Sequence, residues 1–218
     1  MTAGFQIIND SGIVQVDQDY KNVGLSAKGT LSGVYDHTPS GTTRPVYTYT
    51  LDVSAYSFPI VAIDATFPVA GYPRTQSTGI YKFISNQAGS FNYYIFSLTS
   101  PQYYSTENVG VQVFNGDGTL AFDSRIRYPK LVDVYITTGF TTVSHTYAAG
   151  RKYAVCYNGA SYFVAKKNGQ QPVGWVFNGV SVNDNVVWGR PVFDTESYNG
   201  GTEVLKDTNI LVFDVTDI

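Results

Sequence analysis

Short apolar runs broken by clusters of Gly, Asn, Asp, Ser and Pro recur along the whole chain, and no stretch holds a helical period long enough to suggest a helix. Val46–Val53 alternates Tyr, Thr and Leu as a half-buried strand does, and Phe58–Phe67 is a continuous apolar run suited to a core strand. Around them, Ser32–Pro45 and Pro68–Thr78 are rich in Gly, Pro, Ser and Thr and read as exposed loops. Further on, Asn158-Gly159, Asn168-Gly169 and Asn178-Gly179 fall ten residues apart, each suited to a two-residue turn with φ > 0. They predict a meander with strands near Lys152–Tyr157, Ser161–Ala165 and Val173–Phe177. Pro172 is then confined to a strand start or an edge, because it cannot donate to a ladder. Asn199-Gly200-Gly201 opens another loop.

Within this pattern one unit occurs twice. Gly4-Phe5-Gln6-Ile7-Ile8-Asn9-Asp10-Ser11-Gly12-Ile13-Val14-Gln15-Val16-Asp17 aligns without gaps on Gly110-Val111-Gln112-Val113-Phe114-Asn115-Gly116-Asp117-Gly118-Thr119-Leu120-Ala121-Phe122-Asp123. Each copy is an apolar run, a tight polar turn and a second run ending in Asp, which is the grammar of a β-hairpin. Asn9, Gly12, Asn115 and Gly118 are the expected structural turn residues. Phe91–Leu98 also resembles Thr208–Val215 as a closing strand, and Thr99–Asn108 suits a short connection. The expected architecture is all-β: two tandem antiparallel sandwich or barrel-like modules, 1–105 and 106–218, related by an internal repeat.

Composition supports sheets and narrows function. The chain has 218 residues, only 14% of them charged and 15% aromatic, with 18 Tyr and 13 Phe. Fourteen Lys and Arg against 17 Asp and Glu leave a net charge of −3, so no basic footprint for nucleic acid is present and neither is one for anionic lipid. No run reaches the ~18 apolar residues of a membrane span, and Met1-Thr2-Ala3-Gly4 does not begin a signal peptide, so membrane insertion is not expected. Cys156 is the one cysteine, which rules out an intrachain disulfide.

Candidate chemistry is sparse, and neither a catalytic residue nor a cofactor or metal site is expected. His37 and His145 lack partners at metal or triad spacing and read as surface residues. Cys156 lies within an apolar strand and reads as a buried thiol. Asp194 with Glu196, and Asp17 with Asp19, could share strand faces as paired acids, the pattern of a glycan-cleaving enzyme. Asn115-Gly116-Asp117-Gly118 begins like a calcium loop but lacks the later ligands, so it reads as a plain turn. Tyrosine offers large contact area with a polar tip, and Tyr72, Tyr103 and Tyr104, in expected loops, are the candidates for interface or receptor contact.

The words of the first hairpin, Ala3-Gly4-Phe5-Gln6-Ile7-Ile8-Asn9-Asp10-Ser11-Gly12, then Val14-Gln15-Val16-Asp17, Tyr20-Lys21-Asn22 and Ala27-Lys28-Gly29-Thr30, resemble the opening of small β-rich virion proteins of tailed bacteriophages, the tail-tip and tail-fibre components. The copy from Gly110 to Asp123 resembles the related unit repeated in such proteins, departing at Thr119 as the first copy does at Ile13. The matching residues cover about a fifth of the chain and include no catalytic group. The resemblance implies a noncatalytic structural protein of the distal tail. It would be made in the bacterial host's cytoplasm, assemble as a homo-oligomer with other virion proteins and touch a host surface receptor. A capsid decoration protein is the virion alternative, and a glycan-cleaving enzyme using Asp194 and Glu196 is the alternative from another class.

Overall fold

The computed structural model describes residues 6–8, 14–17, 22–39, 43–71, 79–98, 105, 109–137, 142–158, 162–166, 172–195, 200–204 and 208–218. Among these, every helix or strand is a strand. The first half holds β1 (Gln6–Ile8), β2 (Val14–Asp17), β3 (Gly24–Ser32), β4 (Val34–His37), β5 (Val46–Asp52), β6 (Ile60–Asp64), β7 (Ala70–Gly71), β8 (Ile80–Ser85) and β9 (Ser90–Ser97). The second half holds β10 (Gln112–Phe114), β11 (Leu120–Asp123), β12 (Lys130–Thr137), β13 (Val143–Thr146), β14 (Tyr153–Asn158), β15 (Tyr162–Lys166), β16 (Pro172–Asn183), β17 (Val186–Thr195), β18 (Gly200–Val204) and β19 (Thr208–Asp214).

A six-stranded sheet in the order β12-β19-β14-β6-β9-β3 is the backbone of the fold, with a four-stranded sheet β4-β5-β8-β7 and a five-stranded sheet β13-β17-β16-β15-β18. All pairings are antiparallel. The main core lies on one face of the large sheet, where Ile63, Ile95, Val155 and Val212 meet Tyr49, Leu51 and Phe83 of the four-stranded sheet and Val180, Val182 and Val187 of the five-stranded one. On the opposite face Leu25, Ala62, Phe96, Ala154 and Phe213 form a second cluster under Val215. The two smaller sheets adjoin where Val69 and Val180 exchange backbone hydrogen bonds of 2.9 and 2.8 Å.

Two hairpins, and the strands that follow them, share their registers. β1–β2 pairs Gln6 with Asp17 and Ile7 with Val16, then slips by one residue. The pair β10–β11 does the same, Gln112 with Asp123 and Val113 with Phe122, every position shifted by 106 and the bulge included. The strand after each hairpin follows suit: β3 bulges between Leu25 and Ala27 against Phe96 and Ile95, and β12 bulges between Leu131 and Asp133 against Phe213 and Val212. Each half thus contributes a triplet to the large sheet, β6-β9-β3 and β14-β19-β12, in matching order. Phe91–Leu98 and Thr208–Val215 supply the middle strand of each.

A boundary at 105/106 falls between the triplets, yet they form one sheet, because β6 and β14 pair antiparallel with Ile63 opposite Val155. The main core also draws on both halves. Burying an Ile or Phe side chain stabilises by about 1.5–3 kcal/mol, against about 0.5–1.5 kcal/mol net for a hydrogen bond, so this shared core outweighs the single seam in holding the halves together.

Three local expectations are corrected. Asn178-Gly179 is no turn: both residues lie inside the twelve-residue β16, opposite Pro191 and Arg190 of β17. The reversal comes at Asp184, with φ 52°, one turn later. A Cβ at Gly179 would sit 2.6 Å from Val192 Cγ2 and 3.2 Å from the Val69 carbonyl, so glycine serves close strand approach there. Asn158 ends β14 in the large sheet while β15 belongs to the five-stranded one, so that step crosses between layers, and the meander is β15-β16-β17. The loops expected at Ser32–Pro45 and Pro68–Thr78 contain β4 and β7, and the strand expected over Phe58–Phe67 is only Ile60–Asp64, with Phe58 exposed at φ 52°.

Candidate interaction surface

The second hairpin shows what its repeated residues do. Asn115 donates its amide to the Thr119 carbonyl at 2.7 Å, Gly118 donates to the Asn115 carbonyl at 2.9 Å, and Gly118 takes φ 83°. Asp117 Oδ1 accepts from the amide and hydroxyl of Thr119, which fixes the turn and holds the carboxyl below the usual range. At the strand end, Asp123 is buried and accepts from Arg125 Nη2 at 2.6 Å, Arg125 Nε at 3.0 Å and Gln112 Nε2 at 2.8 Å. The Arg125 side chain, then its amide and Gln112, hold the carboxyl well below the ordinary range against the opposing effect of burial. Gln and Asp recur in both copies because they are cross-strand partners. This unit is welded to the start of β3 through Leu25 N–H to the Arg127 carbonyl, 2.8 Å.

Asn9, Gly12, Tyr72, Tyr103, Tyr104, Asp19 and Glu196 lie outside the described residues. Asp194 stands in β17 opposite Trp175. His37 pairs with its exposed neighbour Asp36 at 2.9 Å. Cys156 is mostly covered, and burial pushes its thiol up to about 11, so at neutral pH it is protonated and unreactive. Among the described residues no group of three or more His, Cys, Asp or Glu is placed to hold a metal ion.

The densest chemistry appears where the edge of the large sheet meets the edge of the five-stranded one. From β12, Asp133 and Tyr135 point toward His145 of β13 and Tyr147 just beyond it. The Tyr135 ring stacks on the His145 imidazole at 4.1 Å and 19°. Asp133 Oδ2 accepts from the Tyr147 hydroxyl at 3.0 Å and lies 4.0 Å from His145 Nδ1. Burial, then the Asp133 charge, pushes the Tyr135 phenol up to about 12; burial and the hydrogen bond to Asp133 raise that of Tyr147 as well. Both phenols therefore stay neutral at physiological pH; Tyr147 serves as a hydrogen-bond donor to Asp133 and Tyr135 as a packing group. The Tyr135 hydroxyl is buried and has no hydrogen-bond partner.

The other face of β12 is apolar and open. Leu131, Val134 and Ile136 are 53%, 53% and 61% exposed, and the bulged Val132 is 46% exposed. Val134 continues inward as a row across the sheet through Leu211 and Cys156. In the other triplet the same row runs Lys28, Tyr94, Ala62, so a lysine stands at the β3 edge where β12 has valine. Sequence reading missed this surface because its parts come from strands in two sheets, with no local motif; the one available signal was Leu131-Val132-Asp133-Val134-Tyr135-Ile136, an apolar run with a single charge. No family model, curated protein or solved structure matches this chain.

Proposed function

We propose that this chain is a noncatalytic structural protein of a bacteriophage virion, placed at the distal tail as a tip or fibre component, where it assembles with copies of itself and other virion proteins and contacts the host surface. The geometry that carries this reading is the open apolar row on β12. Soluble monomers blunt edge strands with lysine, proline or cover, and Lys28 supplies such a charge on β3, whereas Val134 and Ile136 leave β12 suited to a protein partner. Phage-like wording in the two hairpins supplies the biological setting, and their matched registers support reading them as one scaffold unit used twice. Asp123 and Asp133, and likewise Asp214 at the end of β19, are tied to Arg125, Tyr147 and Arg151 in turn, as befits scaffold residues.

Antibody labelling of purified virions tests the proposal. Label confined to the distal tail is expected. An even distribution over the heads would move the protein to capsid decoration, and no label on any virion would overturn the reading.

A further inference from the structure

We infer that the free edge of β12 pairs antiparallel with β12 of a second copy, joining two large sheets across a two-fold axis. The inference rests on the self-assembly part of the proposed function and adds its surface and partner. Among the described residues β12 pairs only with β19. Its bulge lies at Leu131–Asp133, which leaves Asp133–Thr137 as a regular stretch with an open side. The chain itself supplies the precedent: its two triplets already join by antiparallel edge pairing at β6–β14. A two-fold pair is self-complementary only when like charges do not meet. Centred on Tyr135, a β12–β12 pair sets Val134 against Ile136 twice and Asp133 against Thr137, and Lys130 lies beyond the paired stretch, bound to Asp217 at 2.8 Å. The outer row of exposed apolar side chains becomes a closed cluster of four. At β3 the same register would set Lys28 against Thr30 twice, placing two exposed lysines on one diagonal where β12 has Val134, so the two edges of one sheet have opposite preferences.

The purified full chain should sediment as a dimer of the 23.9 kDa protomer. Val134→Lys, which copies the β3 edge, should weaken self-association at least about 100-fold, because each ammonium would face Ile136 of the second copy and the two charges would share one small apolar cluster. Val134 is half exposed in the protomer, so the far-UV circular dichroism should not change, while the thermal midpoint should lose the dependence on protein concentration that a dimer confers. Thr30→Lys, at the polar β3 edge, should leave the dimer intact. In a Cys156→Ser background, Val134→Cys with Ile136→Cys should form a disulfide-linked dimer on mild oxidation, since opposed Cβ atoms in such a pair approach to about 4.5–5.5 Å. A wild-type chain that stays monomeric across the micromolar range, or a dimer indifferent to Val134→Lys and not cross-linked by the paired cysteines, overturns the inference. Such a monomer that still labels tail tips would sink only the β12 pairing, while an edge-paired dimer absent from virions would sink only the virion reading.

Discussion

At the scale of single residues, Gly179 and Gly116 have opposite environments despite both following asparagine-like turn signals or lying within them. A methyl at Gly179 meets Val192 Cγ2 at 2.6 Å and two backbone carbonyls at 3.0 and 3.2 Å, while one at Gly116 meets nothing within 4 Å. Backbone oxygens in paired strands cannot give way as a side-chain tip can, so Gly179→Ala should cost about 2–3 kcal/mol. Gly116→Ala should stay within about 0.5 kcal/mol of wild type. Thermal melts of the two variants compare them directly; equal midpoints would mean that the strands are not packed this closely. Asp123 makes a second residue-scale prediction. Its folded carboxyl sits well below its unfolded range, so its stabilising effect is present at pH above about 4 and is lost as pH falls through the depressed folded value. Asp214 acts in the same sense: burial opposes ionisation there, but hydrogen bonds from Thr216 and Arg151 outweigh it. Asp123→Asn should therefore cost about 2 kcal/mol at pH 7, and its melting temperature should fall less than that of wild type between pH 4 and pH 2. Parallel acid curves for the two proteins would contradict this.

Between strands, Asn86 acts as a splice. Its amide nitrogen donates to the Pro45 carbonyl at 3.0 Å and the Phe193 carbonyl at 2.7 Å, and its side-chain oxygen accepts from Phe193 N–H at 2.7 Å. It thereby joins the lead-in to β5, the end of β8 and β17, across the two halves. Asn86→Ala leaves these backbone groups without partners and should lower stability by about 2 kcal/mol in a urea titration, with an unchanged m-value; Asn86→Asp, which cannot donate, should recover little of it. Legibility in the sequence also divides at this scale. The Asn115–Thr119 hairpin could be read because its turn is local, and β5, β14 and β15 because their apolar runs are, although the Asn158-Gly159 signal between β14 and β15 hid a change of sheet. Asn178-Gly179 misled because glycine permits both a turn and a close approach, and only the position of Val192 and Val69 decides between them. The β6–β14 seam joins Ile63 to Val155, and the Asp133–His145–Tyr147 group joins two sheet edges. Neither has a spacing signature, since each depends on pairings that only the assembled fold brings together.

For the whole molecule, the question is whether the two halves behave as one cooperative unit. Matching hairpins and triplets suggest two modules with their own stability, but the packing argues for one. Ile63 and Ile95 from the first half share a core with Val155, Ile210 and Val212 from the second, and Val180 and Val182 pack into the same cluster. The backbone bonds between Val69 and Val180 tie the smaller sheets together, and Val182 N–H to the Ala65 carbonyl ties the five-stranded sheet to the residue after β6. Separating the halves would expose several of these side chains at about 1.5–3 kcal/mol each, an amount comparable with the total stability of a typical domain. Neither half should therefore persist alone once the other opens. Calorimetry should show a single transition whose van't Hoff enthalpy equals the calorimetric one, and both Gly179→Ala in the second half and Asn86→Ala in the first should move that one transition. Separately expressed 1–105 and 106–218 should each lack a cooperative melt. Two resolved transitions, with Gly179→Ala moving only one of them, would show that the repeat, not the shared core, sets the unit of folding.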